Sequence, residues 1–190
     1  MEKHLKLVEE INSCTKCELC KTSGLKVPGE GNLQAKIFIC GEAAGAEEEK
    51  QGRPFVGRSG KLLNNMLASI ELKREDVWIG NTVCCRPPNN RNPLPEESAA
   101  CRPFFLRRLE IIKPKVIVAL GNVALGTLTG VGSGITKRCG KWEEVEIEGN
   151  TYKILPQMHP SALLRNPKWK EPAWYTMQEL KKYLDLEYEK

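Results

Sequence analysis

The chain has 190 residues, of which 41% are hydrophobic and 28% charged, and its formal net charge is +5. These values are typical of a globular protein of one domain, and no apolar run approaches the roughly 20 residues of a membrane span. The N-terminal sequence lacks a secretory signal pattern, so we expect an intracellular protein of the cytoplasm or nucleoid, with no membrane partner. The mild positive charge permits a polyanionic partner without requiring one.

Helical periodicities and apolar runs alternate along the chain. Helices are predicted over 3–12, over 59–70, from Pro95 onwards, over 122–128 and around the apolar residues Trp174, Met177, Leu180, Tyr183 and Leu184. Strands are predicted over 36–40, 77–84, 115–121, 142–147 and 152–155, and polar loops over 47–59, 86–95 and 130–140. This alternation predicts an α/β fold, a three-layer α/β/α sandwich with a short central parallel sheet.

The eight cysteines are the most informative feature of the composition. Without a signal peptide they indicate metal or redox chemistry rather than a disulfide framework. Six of them fall into three groups along the chain, a CxxCxxC run, an adjacent pair and a single residue sixteen positions further on, at Cys14, Cys17, Cys20, Cys84, Cys85 and Cys101. Thiolates suit either Zn²⁺ or an iron–sulfur cluster. One CxxC followed by separate, proline-flanked cysteines favours a [4Fe–4S] cluster.

Several unusual residues fall where predicted parallel strands end. The strand 36–40 runs into the turn GEAAG at 41–45, and ligands of open α/β sheets bind beyond such strand ends. An ordinary strand-to-helix turn would look the same. Asn81 either caps a loop or reads a ligand edge, and His159 is either structural or part of a site at that edge. Phe55, in a loop of Gly, Arg and Ser, either plugs the core or forms a stacking platform.

The segments GEAAGAEEE, GRPFVGRSG, NTVCCRPPNNRNP and HPSALLRNP, together with the cysteine spacing, resemble the family 4 uracil-DNA glycosylases. The likeness runs in matching order from about Cys14 to Arg165. It implies a single domain over 1–190 with the uracil-DNA glycosylase-like fold and an N-terminal cysteine-rich segment. It also implies an enzyme that flips uracil out of DNA, hydrolyses its N-glycosidic bond and leaves an abasic site. The implied ligands of a [4Fe–4S] cluster are Cys14, Cys17, Cys85 and Cys101, which leaves Cys20 and Cys84 spare.

The resemblance also assigns roles around the base. It places Phe55 under the uracil ring, Asn81 on the uracil edge and His159 as a donor to the developing charge at O2. Glu42 is expected to position the attacking water. The full substrate-binding set is Gly41, Glu42, Ala43, Phe55, Asn81, Glu48 and His159, with Glu48 near uracil C5 to exclude the methyl group of thymine.

DNA is expected to contact the segment that follows His159 and the basic loop 86–91. The expected residues are Ser161 on a phosphate, Leu163, Leu164 and Arg165 as a wedge in the vacated stack, and Arg86 and Arg91 on phosphates. The expected partner is uracil-containing DNA, single- or double-stranded. A sliding clamp is a candidate partner, and the expected state is a monomer.

One residue departs from the family pattern. Ala44 stands where proline, which stiffens a turn, is usual in the first motif, so this departure bears on base preference rather than on the activity itself. Two alternatives therefore accompany the main hypothesis: a glycosylase of the same fold for another deaminated base such as hypoxanthine, and a non-catalytic iron–sulfur DNA-binding protein.

Overall fold

Six strands form one mixed sheet in the computed structural model, which describes residues 1–188. The strands are β1 (Glu30–Gly31), β2 (Ile37–Gly41), β3 (Trp78–Asn81), β4 (Val116–Leu120), β5 (Glu143–Ile147) and β6 (Asn150–Gln157). Their order across the sheet is β1–β3–β2–β4–β6–β5. The middle four strands pair in parallel, while β1 and β5 pair antiparallel at the two edges. The predicted parallel sheet and the predicted hairpin of β5 and β6 are confirmed.

The sheet is covered on both faces. Every residue of β2, β3 and β4 is buried, which is the pattern of parallel strands packed between helices. The helices are α1 (Glu2–Asn12), α2 (Leu19–Thr22), α3 (Ala46–Gln51), α4 (Arg58–Ala68), α5 (Pro95–Ile112), α6 (Gly121–Thr129), α7 (Ile135–Arg138), α8 (Pro160–Arg165) and α9 (Lys170–Tyr188). The α/β fold with helices around a short parallel sheet is as predicted.

Some local predictions are wrong. The segment 47–59, predicted as polar loop, contains α3, whose three glutamates Glu47, Glu48 and Glu49 lie in its first turn, where acids favour a helix. Gly52 ends α3 in the left-handed conformation, with φ of 66°. Trp174, expected on the apolar face of the last helix, is 51% exposed.

The register of β2 and β3 brings two predicted site residues together. β3 ends at Asn81 rather than continuing to Cys84, and Gly41 pairs with Asn81 across the ladder. Beyond that pair the backbone N–H of Thr82 donates to the carbonyl oxygen of Gly41 at 2.9 Å, and that of Val83 to Glu42 at 3.0 Å. The turn after β2 is thereby fixed beside the end of β3.

Within residues 1–188, no helix is both long enough and apolar enough to cross a membrane.

Candidate active site

A cavity of about 500 Å³ opens at the carboxyl edge of the parallel strands. It is bounded by the turn after β2, the end of β3, the start of α6 and the segment that joins β6 to α8. The predicted site residues that line it are Glu42, Ala43, Glu48, Phe55, Asn81, Arg91, His159, Ser161 and Arg165. The sheet therefore collects in one cavity residues that are up to 123 positions apart in the sequence, from Glu42 to Arg165.

Phe55 and Asn81 both pack against Gly41. A Cβ atom built on Gly41 would lie 2.7 and 2.8 Å from two atoms of the Phe55 ring and closer still to Oδ1 of Asn81, so the turn has room only for glycine. Phe55 is 4% exposed, and its ring centroid lies 5.7 Å from that of His159. Its φ is +51°, a left-handed conformation that costs a bulky residue about 1–3 kcal/mol and marks functional sites.

Asn81 carries an unsatisfied acceptor into this cavity. The residue is 1% exposed, and its Oδ1 accepts no hydrogen bond from any residue of the described chain. A buried polar atom without a partner is costly, so this oxygen is available to a donor that enters the cavity, whether a water or a ligand.

His159 is held in one tautomer by the helix that follows it. As the N-cap of α8, its Nδ1 accepts the backbone N–H of Ser161 at 3.1 Å and lies 2.8 Å from the Ser161 hydroxyl oxygen. Burial, and secondarily the charge of Arg165, lower the pKa of His159 to about 4. The imidazole is therefore neutral at pH 7, with its single proton on Nε2, because Nδ1 acts as an acceptor.

Glu42 carries the carboxylate that is predicted to position the attacking water. Its backbone is fixed because its carbonyl oxygen accepts the Thr82 hydroxyl at 2.8 Å and the N–H of Val83 at 3.0 Å. Burial raises the pKa of its carboxyl group above the usual value. A carboxyl group of raised pKa facing a cavity is a candidate for proton transfer or for holding water.

Glu48 lines the cavity, but its Oε1 is already engaged. That oxygen accepts the backbone N–H groups of Val56 and Gly57, both at 2.9 Å. Glu48 therefore anchors the loop that carries Phe55, a role that the sequence did not indicate.

The residues expected on DNA have different environments. Leu163 is 2% exposed and belongs to the core, so its predicted role in the wedge is wrong, whereas Leu164 is 38% exposed and Arg165 is also exposed. The Ser161 hydroxyl is directed at His159 rather than left free for a phosphate.

Both arginines of the basic loop are paired. Arg86 donates to Glu49 at 3.1 Å and to Asn90 at 2.8 Å. Arg91 donates through both terminal nitrogens to Glu97, at 2.7 and 2.8 Å. These pairs fix the loop, and they leave it less free positive charge for phosphates than its sequence predicts.

Two contributors to the site were missed by sequence analysis. Gly121, at φ of +86°, leaves room for the side chain of His159, whose Cβ lies 3.2 Å from the Cβ position that a larger residue would occupy. Arg74 donates to the carbonyl oxygens of Pro54 and Phe55. A glycine after a strand is a weak signal, and nothing in the sequence links Arg74 to Phe55.

A second, smaller cavity is lined by thiols. Six cysteines surround it, Cys14, Cys17, Cys20, Cys84, Cys85 and Cys101, and no histidine or carboxylate is among the lining residues. The end of α1, the segment before α2, the chain after β3 and α5 meet here. Cys17, Cys85 and Cys101 pack in one apolar cluster with Leu19 and Val83, while Cys14 packs beside Cys84 in the next.

This donor set suits a thiophilic metal group. Burial raises the pKa of Cys17 and of Cys85, so these thiols ionise readily only if positive charge is brought to them. Over residues 1–188, no three His, Cys, Asp or Glu side chains are grouped as ligands of one metal ion. The six lining cysteines come from three stretches of the chain, 14–20, 84–85 and 101, and such an all-cysteine lining fits a polynuclear cluster, whose irons are each held by one thiolate.

Comparisons with known proteins identify the family of this chain. Residues 28–181 match the family model described as the uracil DNA glycosylase superfamily. The type-4 uracil-DNA glycosylase of Archaeoglobus fulgidus is 47% identical over 169 residues, which cover 87% of this chain and 85% of the relative. That of Thermotoga maritima is 50% identical over 159 residues, covering 83% and 81%. A type-5 uracil-DNA glycosylase of Pyrobaculum aerophilum is 29% identical over 155 residues, covering 74% and 67%.

Proposed function

We propose that this chain, which belongs to the uracil DNA glycosylase superfamily and to its type-4 group, excises uracil from DNA. It hydrolyses the N-glycosidic bond, releases the free base and leaves an abasic site for repair. One observation carries the proposal: an aromatic ring, an unsatisfied amide oxygen and a neutral imidazole with a fixed tautomer line the same cavity.

The cavity recognises a flipped base by its shape and its edge. A uracil stacked on Phe55 would present N3–H to Oδ1 of Asn81 and its O4 to the amide nitrogen. Cytosine offers an acceptor at N3 and a donor at N4, the reverse of this pattern. If cytosine entered the cavity, its N3 acceptor would face Oδ1 of Asn81 and its N4 donor would face the amide nitrogen. A site built to hydrogen-bond one substrate strongly rejects an analogue that leaves its buried polar groups unpaired.

Bond cleavage moves an electron pair from the glycosidic bond onto the base. Negative charge grows at O2 of uracil, and positive charge grows on the sugar. His159 donates its Nε2–H to O2, and the backbone N–H groups of Glu42 and Ala43 are additional donors at this edge. Water then adds to the sugar carbon. Its surplus proton passes to the Glu42 carboxylate or to solvent, and the departing uracil anion takes up a proton.

The pH dependence follows from a neutral His159. With a pKa of about 4, the imidazole does not change charge as pH falls from about 8 to about 6, through the range in which a free histidine titrates. We therefore expect the single-turnover rate to show no titration of a histidine across this range. In acid the rate should fall as His159, and the Glu42 carboxylate with its raised pKa, take up protons.

The same shift predicts how folding stability depends on pH. The unfolded chain binds the proton of His159 more tightly than the folded chain. Stability is therefore unaffected by this group above about pH 6.5 and is lost as pH falls from there towards 4. Single-turnover rates and thermal unfolding measured over the same pH series test both statements. A rate that dropped on raising pH through 6 would show that a cationic imidazole is needed.

We propose that Cys14, Cys17, Cys85 and Cys101 hold a [4Fe–4S] cluster, which supplies a covalent link between the N-terminal segment and α5 rather than a step of the reaction. Cys85→Ser is expected to lose the broad visible absorbance and most of the bound iron, whereas Cys20→Ser keeps both. Iron and sulfide analysis of the two purified variants checks this. Loss of the cluster in Cys20→Ser, with retention in Cys85→Ser, would overturn the ligand assignment.

DNA would approach from the side of α8. Arg165 and Leu164, both exposed, are the proposed DNA contacts next to the cavity. Ser161 instead orients His159 through the contact between its hydroxyl group and Nδ1. Ala44 is 3% exposed and lines the cavity, so it is the residue through which base preference would differ from relatives with proline.

Release of the base from four substrates tests the proposal and its alternatives. These are a U:G duplex, single-stranded DNA with uracil, a T:G duplex and a duplex with hypoxanthine, each scored for abasic-site cleavage. Release from the two uracil substrates, with none from T:G, is the expected result. Release of hypoxanthine alone would show that the enzyme is specific for another deaminated base. Binding of DNA without release of a base from any substrate would show that the protein is a non-catalytic DNA-binding protein.

A further inference from the structure

The loop Pro54–Gly57, called here the Phe55 loop, is held in a conformation that its sequence does not favour. Phe55 has φ of +51°, in the left-handed region that bulky residues rarely adopt. Such a residue persists only where surrounding contacts over-determine it. The contacts of this loop therefore identify the residues that place the ring.

Arg74 holds the carbonyl side of the loop. Its Nη2 donates to the carbonyl oxygen of Pro54 at 2.7 Å, and its Nη1 to that of Phe55 at 3.1 Å. The same two nitrogens donate to Glu30 at 2.6 Å and to Asn64 at 3.0 Å. The Arg74 side chain is 17% exposed, so this fork of four hydrogen bonds is largely shielded from water.

Glu48 binds the backbone N–H groups of the Phe55 loop. Its Oε1 accepts the N–H groups of Val56 and Gly57 at 2.9 Å each. Two side chains of opposite charge thus bind the backbone of four consecutive residues, with the Phe55 ring between them. Gly60 in α4 packs directly under the Phe55 carbonyl group, where a Cβ atom would collide with the loop backbone.

We propose that Arg74 is a positioning residue for excision, acting through the Phe55 loop as the counterpart of Glu48. The inference rests on the proposed function, in which Phe55 is the stacking platform for the base. Without the guanidinium, the carbonyl groups of Pro54 and Phe55 lose their donors. Phe55 can then relax towards negative φ, which turns its ring away from Asn81 and His159.

Kinetics of matched arginine variants test this positioning role. Arg74→Ala is expected to lower the single-turnover rate at saturating DNA by roughly 10- to 100-fold, the scale for a small misplacement of a binding group. DNA affinity should change little. Arg74→Lys should recover only part of the lost rate, because an ammonium group cannot reproduce the planar fork of hydrogen bonds that the guanidinium makes. Arg53→Ala is the control: Arg53 donates to the same Glu30 carboxylate at 2.7 and 3.1 Å but is 57% exposed, and it should keep the wild-type rate.

A double-mutant cycle separates positioning from general destabilisation. If Arg74 acts through Phe55, then adding Arg74→Ala to Phe55→Ala should lower the rate by less than about twofold further. A full and independent loss in the double variant would overturn the proposal.

Amide exchange followed by NMR tests the clamp without any activity. Arg74→Ala should accelerate exchange of the Val56 and Gly57 amides at least about tenfold relative to wild type and to Arg53→Ala. Unchanged exchange would overturn the proposal even if activity fell. Accelerated exchange in a protein that releases no uracil would instead confirm the clamp and refute the proposed function.

Discussion

Replacing His159 with alanine is expected to lower uracil release by roughly 10²- to 10³-fold, the effect of removing one preorganised donor from a developing oxyanion. The reason is geometric. The N–H of Ser161 occupies Nδ1 of His159, so the Nε2 proton is free to meet O2 of the base, and a pKa of about 4 keeps the ring neutral. Single-turnover release from a U:G duplex measures the effect.

Two further variants show whether the lower rate of His159→Ala results from the loss of its N–H donor. His159→Gln retains an N–H donor and should recover part of the rate. His4→Ala removes the other histidine of the chain, which packs edge-on against Trp78 with ring centroids 5.2 Å apart, and should keep the rate. A His159→Ala enzyme within about threefold of wild type would exclude the proposed donor, since one oxyanion-hole donor contributes far more than that.

Replacing Asn81 with aspartate is expected to lower uracil release by about 100-fold at pH 8, with a smaller deficit in acid. The two side chains have nearly the same shape, but an ionised carboxylate would face O4 of uracil with no proton to donate. Leaving a buried group in repulsive contact costs about as much as a charged hydrogen bond, 1.5–3 kcal/mol. Burial raises the pKa of such a carboxyl group. The rate relative to wild type should therefore rise as pH falls and the carboxyl group regains a donor.

The control for this variant is the same change from asparagine to aspartate at an exposed position away from the cavity. The substitution Asn150→Asp changes the exposed first residue of β6, and this variant should match wild type at every pH. If Asn81→Asp excised uracil at the wild-type rate at pH 8, Asn81 would not read the base.

The fold could be predicted because its core strands are unmistakable. Runs such as Ile37–Gly41 and Val116–Leu120 are wholly apolar, end in glycine or lead into it, and alternate with helical periodicities. Their parallel arrangement also explains why Asn81 and His159 were correctly expected at one edge. α3 was missed because a run of glutamates resembles a solvated loop, although acids in a first turn and a glycine after the last turn were both present.

The environment of individual side chains was harder to predict. Leu163 and Leu164 are adjacent and chemically identical, yet one is in the core and the other faces solvent, because a short helix buries only part of its surface. Arg86 and Arg91 were visible as charges, but their carboxylate partners lie 37 and 6 positions away. The carbonyl oxygen of Phe55 accepts a hydrogen bond from Arg74, 19 residues further on, and no local pattern encodes such a contact.

We expect the cavity to hold a flipped uracil between Phe55, Asn81 and His159. A crystal structure of the protein with a duplex containing 2′-fluoro-2′-deoxyuridine, which resists cleavage, tests it most directly. We expect the base to stack on Phe55, with N3–H donating to Oδ1 of Asn81 and Nε2 of His159 within hydrogen-bond distance of O2. A base that remained in the helix, or that entered the cavity with O2 directed away from His159, would exclude this mode of binding.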